Sequence, residues 1–464
     1  MRRSERNLKP KLIAIAAILI CGAIGWLLWI KLEGTPPVVS LDLPRKTLNA
    51  DAAISLTVED PGSGLRGVRV TLSRNGQEAV LAEKAYQKTD FLSGGAVRRD
   101  QMSLTADPEA IGGDDGPAEL TITALDHSWR RWWNGNRTIL TQRVVLDNRP
   151  PDLRVESDAH NMSPGGAALV IYSLSEPCPE HGVEVGESFF PGYPADSVFG
   201  GADREVYMAF MALAPDQGPG TGMAVRAVDA AGNEGRVGFR HYIRNRSFRA
   251  DVIGISDGFL DQTLPEFASD IPKAVGDDPL ERFLWVNREL RRINYDEMTA
   301  AAHQSDPRMH WEGPFLRLPN AARRASFADR RTYRYGDTVI DHQTHLGIDL
   351  ASLSRAPVPA ANAGRVAFTG RIGIYGKTVM IDHGFGLFST YSHLSGIDVA
   401  VDDSVARGDI IGQTGKTGLA GGDHLHFGIL IHNTFTDPVE WWDDNWIRHN
   451  VTDKIEVVRD RWRG

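Results

Sequence analysis

A mainly β architecture of several domains behind one membrane-spanning helix is what this sequence predicts. Three observations carry that prediction. The chain has 464 residues, 42% hydrophobic and 24% charged, the balance of folded domains, and at ~100–200 residues per domain it needs several of them. Its 47 glycines and 25 prolines punctuate short alternating runs, which favours strands and turns over a helical bundle. Leu12 through Ile30 is an unbroken stretch without a single charge.

The apolar stretch comes first in the chain. Its nineteen residues, at ~1.5 Å each, span about 28 Å, enough to cross a hydrocarbon core. Arg2, Arg3, Arg6, Lys9 and Lys11 precede it against one acid, Glu5. The positive-inside rule then puts the N-terminus in the cytoplasm of a single-pass inner (cytoplasmic) membrane protein. Residues 34–464 fall in a periplasm or outside the cell. A cleaved signal peptide is the alternative. Against it, the run is long for a signal and ends in bulky Trp29-Ile30 with no small-residue cleavage site. Cys21 follows Ile20, where a lipoprotein signal wants a small residue.

The formal charge of −9 argues against nucleic acid, since phosphate contacts need a basic surface. Two cysteines exclude a disulfide-stapled scaffold and a four-cysteine zinc site. Cys21 lies in the apolar run and Cys178 beyond it, so they do not pair. Cys178 with His181 has a metal-like spacing but no second pair nearby, and reads as a structural thiol.

Residues 1–33 are thus a cytoplasmic tip and transmembrane helix. Residues 34–147 read as short alternating strands, such as Ala53–Val58 and Gly67–Leu72, with turns at Asp60-Pro61-Gly62 and Asn75-Gly76. Residues 148–247 repeat the scheme. Pro36-Pro37 opens the first unit and Pro150-Pro151 the second, and Ala124-Leu125-Asp126 is echoed by Ala227-Val228-Asp229. Both units resemble immunoglobulin-like β-sandwiches, in architecture only. They read as spacers, with other envelope proteins as candidate partners. Residues 248–309 change character: Leu280, Phe283, Leu284 and Leu290 recur at helical spacing, predicting a partly helical connector; this connector or a β-sandwich is expected to cover the following domain's cleft in part. Residues 310–446 carry the chemistry, and residues 447–464 are a C-terminal tail.

Eight of the fourteen histidines lie between His342 and His449. Four of them, with one aspartate, form a constellation: His345-Leu-Gly-Ile-Asp349, Tyr391-Ser-His393-Leu394 and His424-Leu-His426-Phe427. Residues 425–432 alternate and predict a strand, on which positions two apart face the same way. One histidine of the 424/426 pair can hold a metal while the other meets its water, and spacing does not say which. On a straight strand His345 and Asp349 sit ~13 Å apart, too far for ligands each ~2 Å from one ion. Gly347 permits the bend that brings them together. Two histidines and a carboxylate leave one position open, as catalytic zinc requires.

Residues ~327–442 resemble the lysostaphin-type (LytM-type) zinc metallopeptidase domain of peptidoglycan endopeptidases. The matching stretches are His345–Asp349, Gly376–Gly384, Tyr391–Leu394, Gly412–Gly415, Gly418, His424–Phe427 and Asp437–Trp441. The resemblance implies a β-sheet-rich duplicated hybrid motif holding one zinc ion. It assigns His345, Asp349 and His426 as zinc ligands and His393 and His424 as the catalytic pair. It further implies hydrolysis of peptide cross-links, with peptidoglycan stem peptides and cross-bridges as partners. The alternative is a catalytically silent relative that binds wall or activates another hydrolase; the retained ligand set argues against it. His383 reads as structural. Gly415-Lys416-Thr417 is no phosphate-binding loop, because position 410, where the motif needs its first glycine, is Ile. The basic cluster Arg323-Arg324 and Arg330-Arg331 reads as a solvated loop, with the carboxylates of peptide stems as its alternative role.

Overall fold

The computed structural model describes residues 8–463 apart from residues 44, 91–93, 112 and 201–204. The basic flank Arg2, Arg3 and Arg6, with Glu5, lies outside the described residues. The chain divides into two units, residues 1–150 with 228–234, and residues 151–227 with 235–464.

The first unit opens with the helix Leu8–Lys31. Its segment Pro10–Lys31 is long and apolar enough to cross a membrane, and the most apolar 18-residue stretch of it holds no buried residue. Two sheets follow. The strands Val38–Asp42, Ala53–Glu59 and Arg99–Thr105 form one antiparallel sheet. Thr47–Leu48, Leu65–Arg74, Gln77–Ala85, Gly116–Asp126 and Arg137–Leu146 form the other. Along Ala53–Glu59 every second side chain is buried, the period-2 signature of a strand with one wet face. Ile54, Leu56 and Val58 of the first sheet share a core with Val68, Val70, Leu72, Leu120 and Ile122 of the second. The Asn75-Gly76 turn has positive φ at both residues (49° and 84°), as a two-residue hairpin with right-handed strand twist demands.

The repeated aspartates serve one purpose in both copies. Asp126 Oδ1 accepts the backbone N–H groups of Ser128 and Asn136, and Oδ2 accepts the Asn136 amide. Asp229 Oδ1 accepts from Ala231, Gly232 and Asn233, and Oδ2 accepts the Asn233 amide. Each buried carboxylate replaces the backbone partners that a tight loop cannot supply.

In the second unit, Ala167–Leu174 pairs with Glu205–Ala212, and Glu180–Val185 pairs with Ser188–Pro191. The connector begins as a strand. Ala250–Ile255 runs parallel to Arg330–Tyr335, which pairs in turn with Thr338–Thr344. Helical segments follow, notably Asp257–Thr263 and the continuous run from Pro279 to Ala301. Phe283 and Leu290 are buried as their spacing predicts, together with Val286 and Met298. The largest sheet among the described residues has the order Ala322–Ala325, Ile348–Ala351, Leu425–Ile431, Leu387–Leu394, Gly376–Asp382, Gly364–Ile372, Ser404–Val405. Its Leu387–Leu394 and Leu425–Ile431 strands are buried throughout, the polar Ser389, Thr390, Ser392, His393 and His426 included. The chain ends in the helix Asp453–Arg463, which buries Ile455 and Val458, while Lys454 Nζ donates to the Leu169 carbonyl at 3.0 Å. The fold is mainly β behind an N-terminal apolar helix.

Candidate active site

Strand register brings the predicted residues together. Ile348–Ala351 lies antiparallel to Leu425–Ile431 with Asp349 directly opposite His426. Leu387–Leu394 flanks the same strand on its other side, placing Ser392 opposite His426 and His393 one residue beyond. His345 precedes the bend at Gly347. Its backbone is clamped, donating to Asp329 O and accepting from Ala328 N. Across the bend, His345 Nε2 comes to 3.0 Å from Asp349 Oδ1.

The glycine acts through its missing side chain rather than through a left-handed backbone. A Cβ at Gly347 would lie 2.5 Å from both Cε1 and Nε2 of His426. The bend is therefore also the seat of the His426 ring.

Three donor atoms converge. His345 Nε2, His426 Nδ1 and Asp349 Oδ1 are 2.9–3.0 Å from one another. His345 Nδ1 is 2.9 Å from the Ser326 carbonyl, to which it donates its proton. In the neutral ring Nε2 then carries a lone pair, aimed at a carboxylate oxygen and a second imidazole nitrogen. Such a cluster of lone pairs is repulsive unless it shares a cation. Zinc–ligand bonds of ~2.0–2.1 Å give tetrahedral edges of about 3.3 Å, close to the spacing seen, and the donor set suits zinc. The residues fit the ion that the sequence implies. The other Asp349 oxygen, Oδ2, accepts from Arg331 Nη2 at 3.0 Å. Asp349, His345 and His426 also form a buried group of potential metal ligands within 4.8 Å.

The two remaining histidines stand beside this triangle. Both donate Nδ1–H to a backbone carbonyl at 2.8 Å, His393 to Thr417 and His424 to Gly422. Their Nε2 atoms are left for the cleft, and that of His424 lies 3.5 Å from Asp349 Oδ1. Their ring centroids are 4.8 Å apart. His393 holds φ 62°, a left-handed conformation that costs a non-glycine residue energy and marks a position imposed by its surroundings. Burial, with the neighbouring His424 and His426, holds the His393 imidazole well below its usual value. Burial also pushes His426 down to about 4. Burial opposes the charge on His424, but the Asp349 carboxylate prevails and raises it. Burial alone would raise Asp349; the surrounding histidines overcome it and hold the carboxyl well below the usual range.

Around these groups is a cavity of about 240 Å³, walled partly by the connector through Ile253, Phe259, Phe283 and Arg291, and by Tyr375. A larger cavity of about 670 Å³ shares Arg291, Arg331 and Tyr375 with it. Arg288, Arg292 and Arg330 line that second space, against one acid, Asp216. The connector and this largest sheet are tied by polar contacts. Ile374 N donates to Asn294 Oδ1 at 2.9 Å, Gly418 N donates to Glu266, and Arg371 pairs with Asp270 at 2.8 Å.

Residues 343–438 match the profile of Peptidase family M23. Those residues are a peptidase family M23 domain. The DD-carboxypeptidase/endopeptidase Mpg of Neisseria meningitidis serogroup B is 38% identical over 107 residues, 23% of this chain and 25% of its own. The peptidoglycan DD-endopeptidase ShyA of Vibrio cholerae is 32% identical over 157 residues, 31% of this chain and 36% of its own. The chain thus spans a quarter to about a third of these relatives. Among solved structures, the catalytic domain of lysostaphin from Staphylococcus simulans aligns with 28% of this chain and 96% of its own, at 28% identity and a TM-score of 0.24.

Other residues singled out above sit around the M23 centre or away from it. His383 is fully buried between the Ala363 carbonyl and Ser389 Oγ, each at 2.7 Å. Thr417 of the discarded phosphate-loop motif supplies the carbonyl that orients His393. Cys178 is buried and His181 bonds Tyr172 at 2.6 Å. Four contributors were not legible as such beforehand. Tyr375 stands alone before Gly376, with no spaced partner to mark it. Arg331 read as one of a surface cluster. Arg291 and Phe283 enter from the connector, whose apolar spacing predicts docking but not which surface receives it.

Proposed function

We propose that the chain is a membrane-anchored zinc metalloendopeptidase that hydrolyses peptide cross-links of peptidoglycan. The observation that carries this reading is the convergence of His345 Nε2, Asp349 Oδ1 and His426 Nδ1 within 3.0 Å, with two histidines at its open side. His345, Asp349 and His426 would hold one zinc ion. When bound, that ion supplies Lewis-acid polarisation and an activated water.

The protein's own groups do the rest. His393 and His424 share proton acceptance and donation at Nε2, since Nδ1 of each is committed to a backbone carbonyl. The carbonyls of Thr417 and Gly422 fix the ring planes, so no reorientation is needed during the reaction. Ile253, Phe259 and Phe283 exclude water from one wall. Arg291 and Arg330, with no acidic partner among the described residues, are placed to meet the free carboxylates of stem peptides. The helix Pro10–Lys31 would anchor the chain in the cytoplasmic membrane with the N-terminus inside, and the modules at 34–147 and 148–247 would space the catalytic domain from the bilayer. Relatives named DD-endopeptidases direct the first assay to D,D cross-links.

The test is digestion of purified peptidoglycan by the detergent-solubilised chain, with and without chelator, fragments being read by mass spectrometry. Elemental analysis accompanies each variant. His345→Ala, Asp349→Ala and His426→Ala should lose both zinc and activity. His393→Ala and His424→Ala should keep zinc while losing ~100-fold or more in rate. Five variants that all hold zinc and cut like the parent would sink the assignment. A parent that holds zinc and leaves peptidoglycan intact would make it a wall-binding relative instead.

A further inference from the structure

The first unit carries the sequence Trp129-Arg130-Arg131-Trp132-Trp133, whose last two indoles face solvent. Trp132 is 88% exposed and Trp133 55%. Indole side chains bury large apolar areas, so two adjacent ones facing solvent call for a partner.

The loop is built to hold them there. Trp129 N donates to Lys31 O at 2.7 Å, and Arg130 Nε donates to Leu32 O at 3.0 Å. Ser128 Oγ reaches Glu33 O at 2.9 Å. On the other side, Arg66 Nη1 donates to the carbonyls of Trp133 and Asn134 at 3.2 and 3.1 Å. Arg131, Trp132 and Trp133 all have positive φ, at 50°, 56° and 66°. Three successive left-handed residues that are not glycine cost on the order of 1–2 kcal/mol each. A loop held in so costly a shape, with its bulkiest side chains outward, is shaped for something it touches.

Its position says what. The bonds to Lys31, Leu32 and Glu33 fix the loop at the C-terminal end of the apolar helix Pro10–Lys31. That end of the helix carries Trp26 and Trp29, exposed by 65% and 79%, and the helix has no tryptophan elsewhere. Tryptophan concentrates at the boundary between hydrocarbon and headgroups, where an apolar ring with one N–H donor is best solvated. Arginine there reaches lipid phosphate while its stem lies along apolar surface. Arg131 is exposed; its backbone carbonyl accepts the Asn134 N–H at 3.3 Å, and its guanidinium makes no hydrogen bond or ion pair among the described residues.

We propose that Trp132 and Trp133 insert into the headgroup boundary of the membrane that the helix Pro10–Lys31 crosses, with Arg130 and Arg131 on lipid phosphates. The loop then forms a second contact with the bilayer beside the helix. Two contacts fix the tilt of the first unit on the membrane where one helix leaves it free to swivel. This rests on the anchoring reading but not on the peptidase reading.

The test uses the full chain reconstituted in vesicles of phosphatidylethanolamine and phosphatidylglycerol, with and without bromine on the acyl chains. Emission from the loop is the difference between the parent and Trp132→Phe/Trp133→Phe. It should be blue-shifted in plain vesicles and mostly lost in brominated ones. A nitroxide on Trp132→Cys, in a Cys21→Ser background, should be reached by oxygen more readily than by a water-soluble nickel complex. That second readout also serves if the double variant folds poorly. Red, unquenched loop emission overturns the proposal while leaving the helix anchor standing. Blue-shifted emission that bromine does not quench places the indoles against a second copy of the chain and also overturns it. Failure of the parent chain to float with vesicles overturns loop and anchor together.

Discussion

Arg331 reaches Asp349 from the side that the histidines leave free. Its Nη2 lies 3.0 Å from Oδ2, while Oδ1 faces His345, His424 and His426. An arginine on one oxygen of a ligating carboxylate fixes the direction of the other, and losing such a partner commonly costs ~10–100-fold in metal affinity. Arg331→Gln should therefore weaken zinc by that factor, read by competition with a chromophoric chelator, while all three ligands remain in place. Unchanged zinc affinity would reduce Arg331 to a wall of the cleft. At this scale much was legible. All five histidine and aspartate positions taken from the sequence lie in one cluster, because each motif places its residues through local strand or bend geometry. Gly347 was read as a hinge, and its tighter constraint escaped notice. The 2.5 Å approach of the His426 ring comes from a strand 79 residues away, and no local pattern records it.

At the scale of elements, the connector shares one core with the M23 domain. Phe283 is 1% exposed, packs 6.2 Å from Phe259 and 6.0 Å from Tyr333 between ring centroids, and walls the catalytic cavity. Truncating a buried phenylalanine typically costs ~3–5 kcal/mol. Phe283→Ala should lower the urea midpoint of the chain accordingly, and equal midpoints would show that the connector only leans on the sheet. The helical spacing of residues 280–290 announced an element with one apolar face. It did not announce the strand Ala250–Ile255, whose parallel pairing with Arg330–Tyr335 depends on a partner about 80 residues later. Its burial alternates on one edge of a small sheet, and the six residues are too few for periodicity to stand out.

At the scale of the whole molecule, one half-buried acid links stability to pH. Glu440 lies in the Asp437–Trp441 stretch and accepts the Ala167 N–H at 2.8 Å. Burial, its largest influence, pushes its carboxyl up to about 8, against 4.5 in the unfolded chain. Between those values the folded state binds the proton and the unfolded state does not. Stability contributed by the protonated group is therefore complete below pH 4.5 and is lost as pH rises through about 8. Glu440→Gln keeps an acceptor for Ala167 and removes the titration. Its unfolding free energy, measured from pH 5 to 9, should fall less steeply than the parent's, and parallel curves would refute the linkage. The overall charge of −9 bears on partners rather than on this slope.

Which chemistry this protein can host is written in residue type and short-range spacing. The apolar run, the strand and turn rhythm, and the three histidine motifs are local signals, set by residue type and spacing within a few positions. How those pieces meet is set by long-range packing. Asp349 faces His426 because two strands 77 residues apart pair in one register, and a slip of one residue would turn every side chain to the opposite face. The connector's wall on the cleft, the arginine behind Asp349 and the tryptophan loop at the helix exit have the same origin. Each joins residues distant in the chain, and such contacts depend on the packing of the whole domain rather than on any pattern that a short window contains.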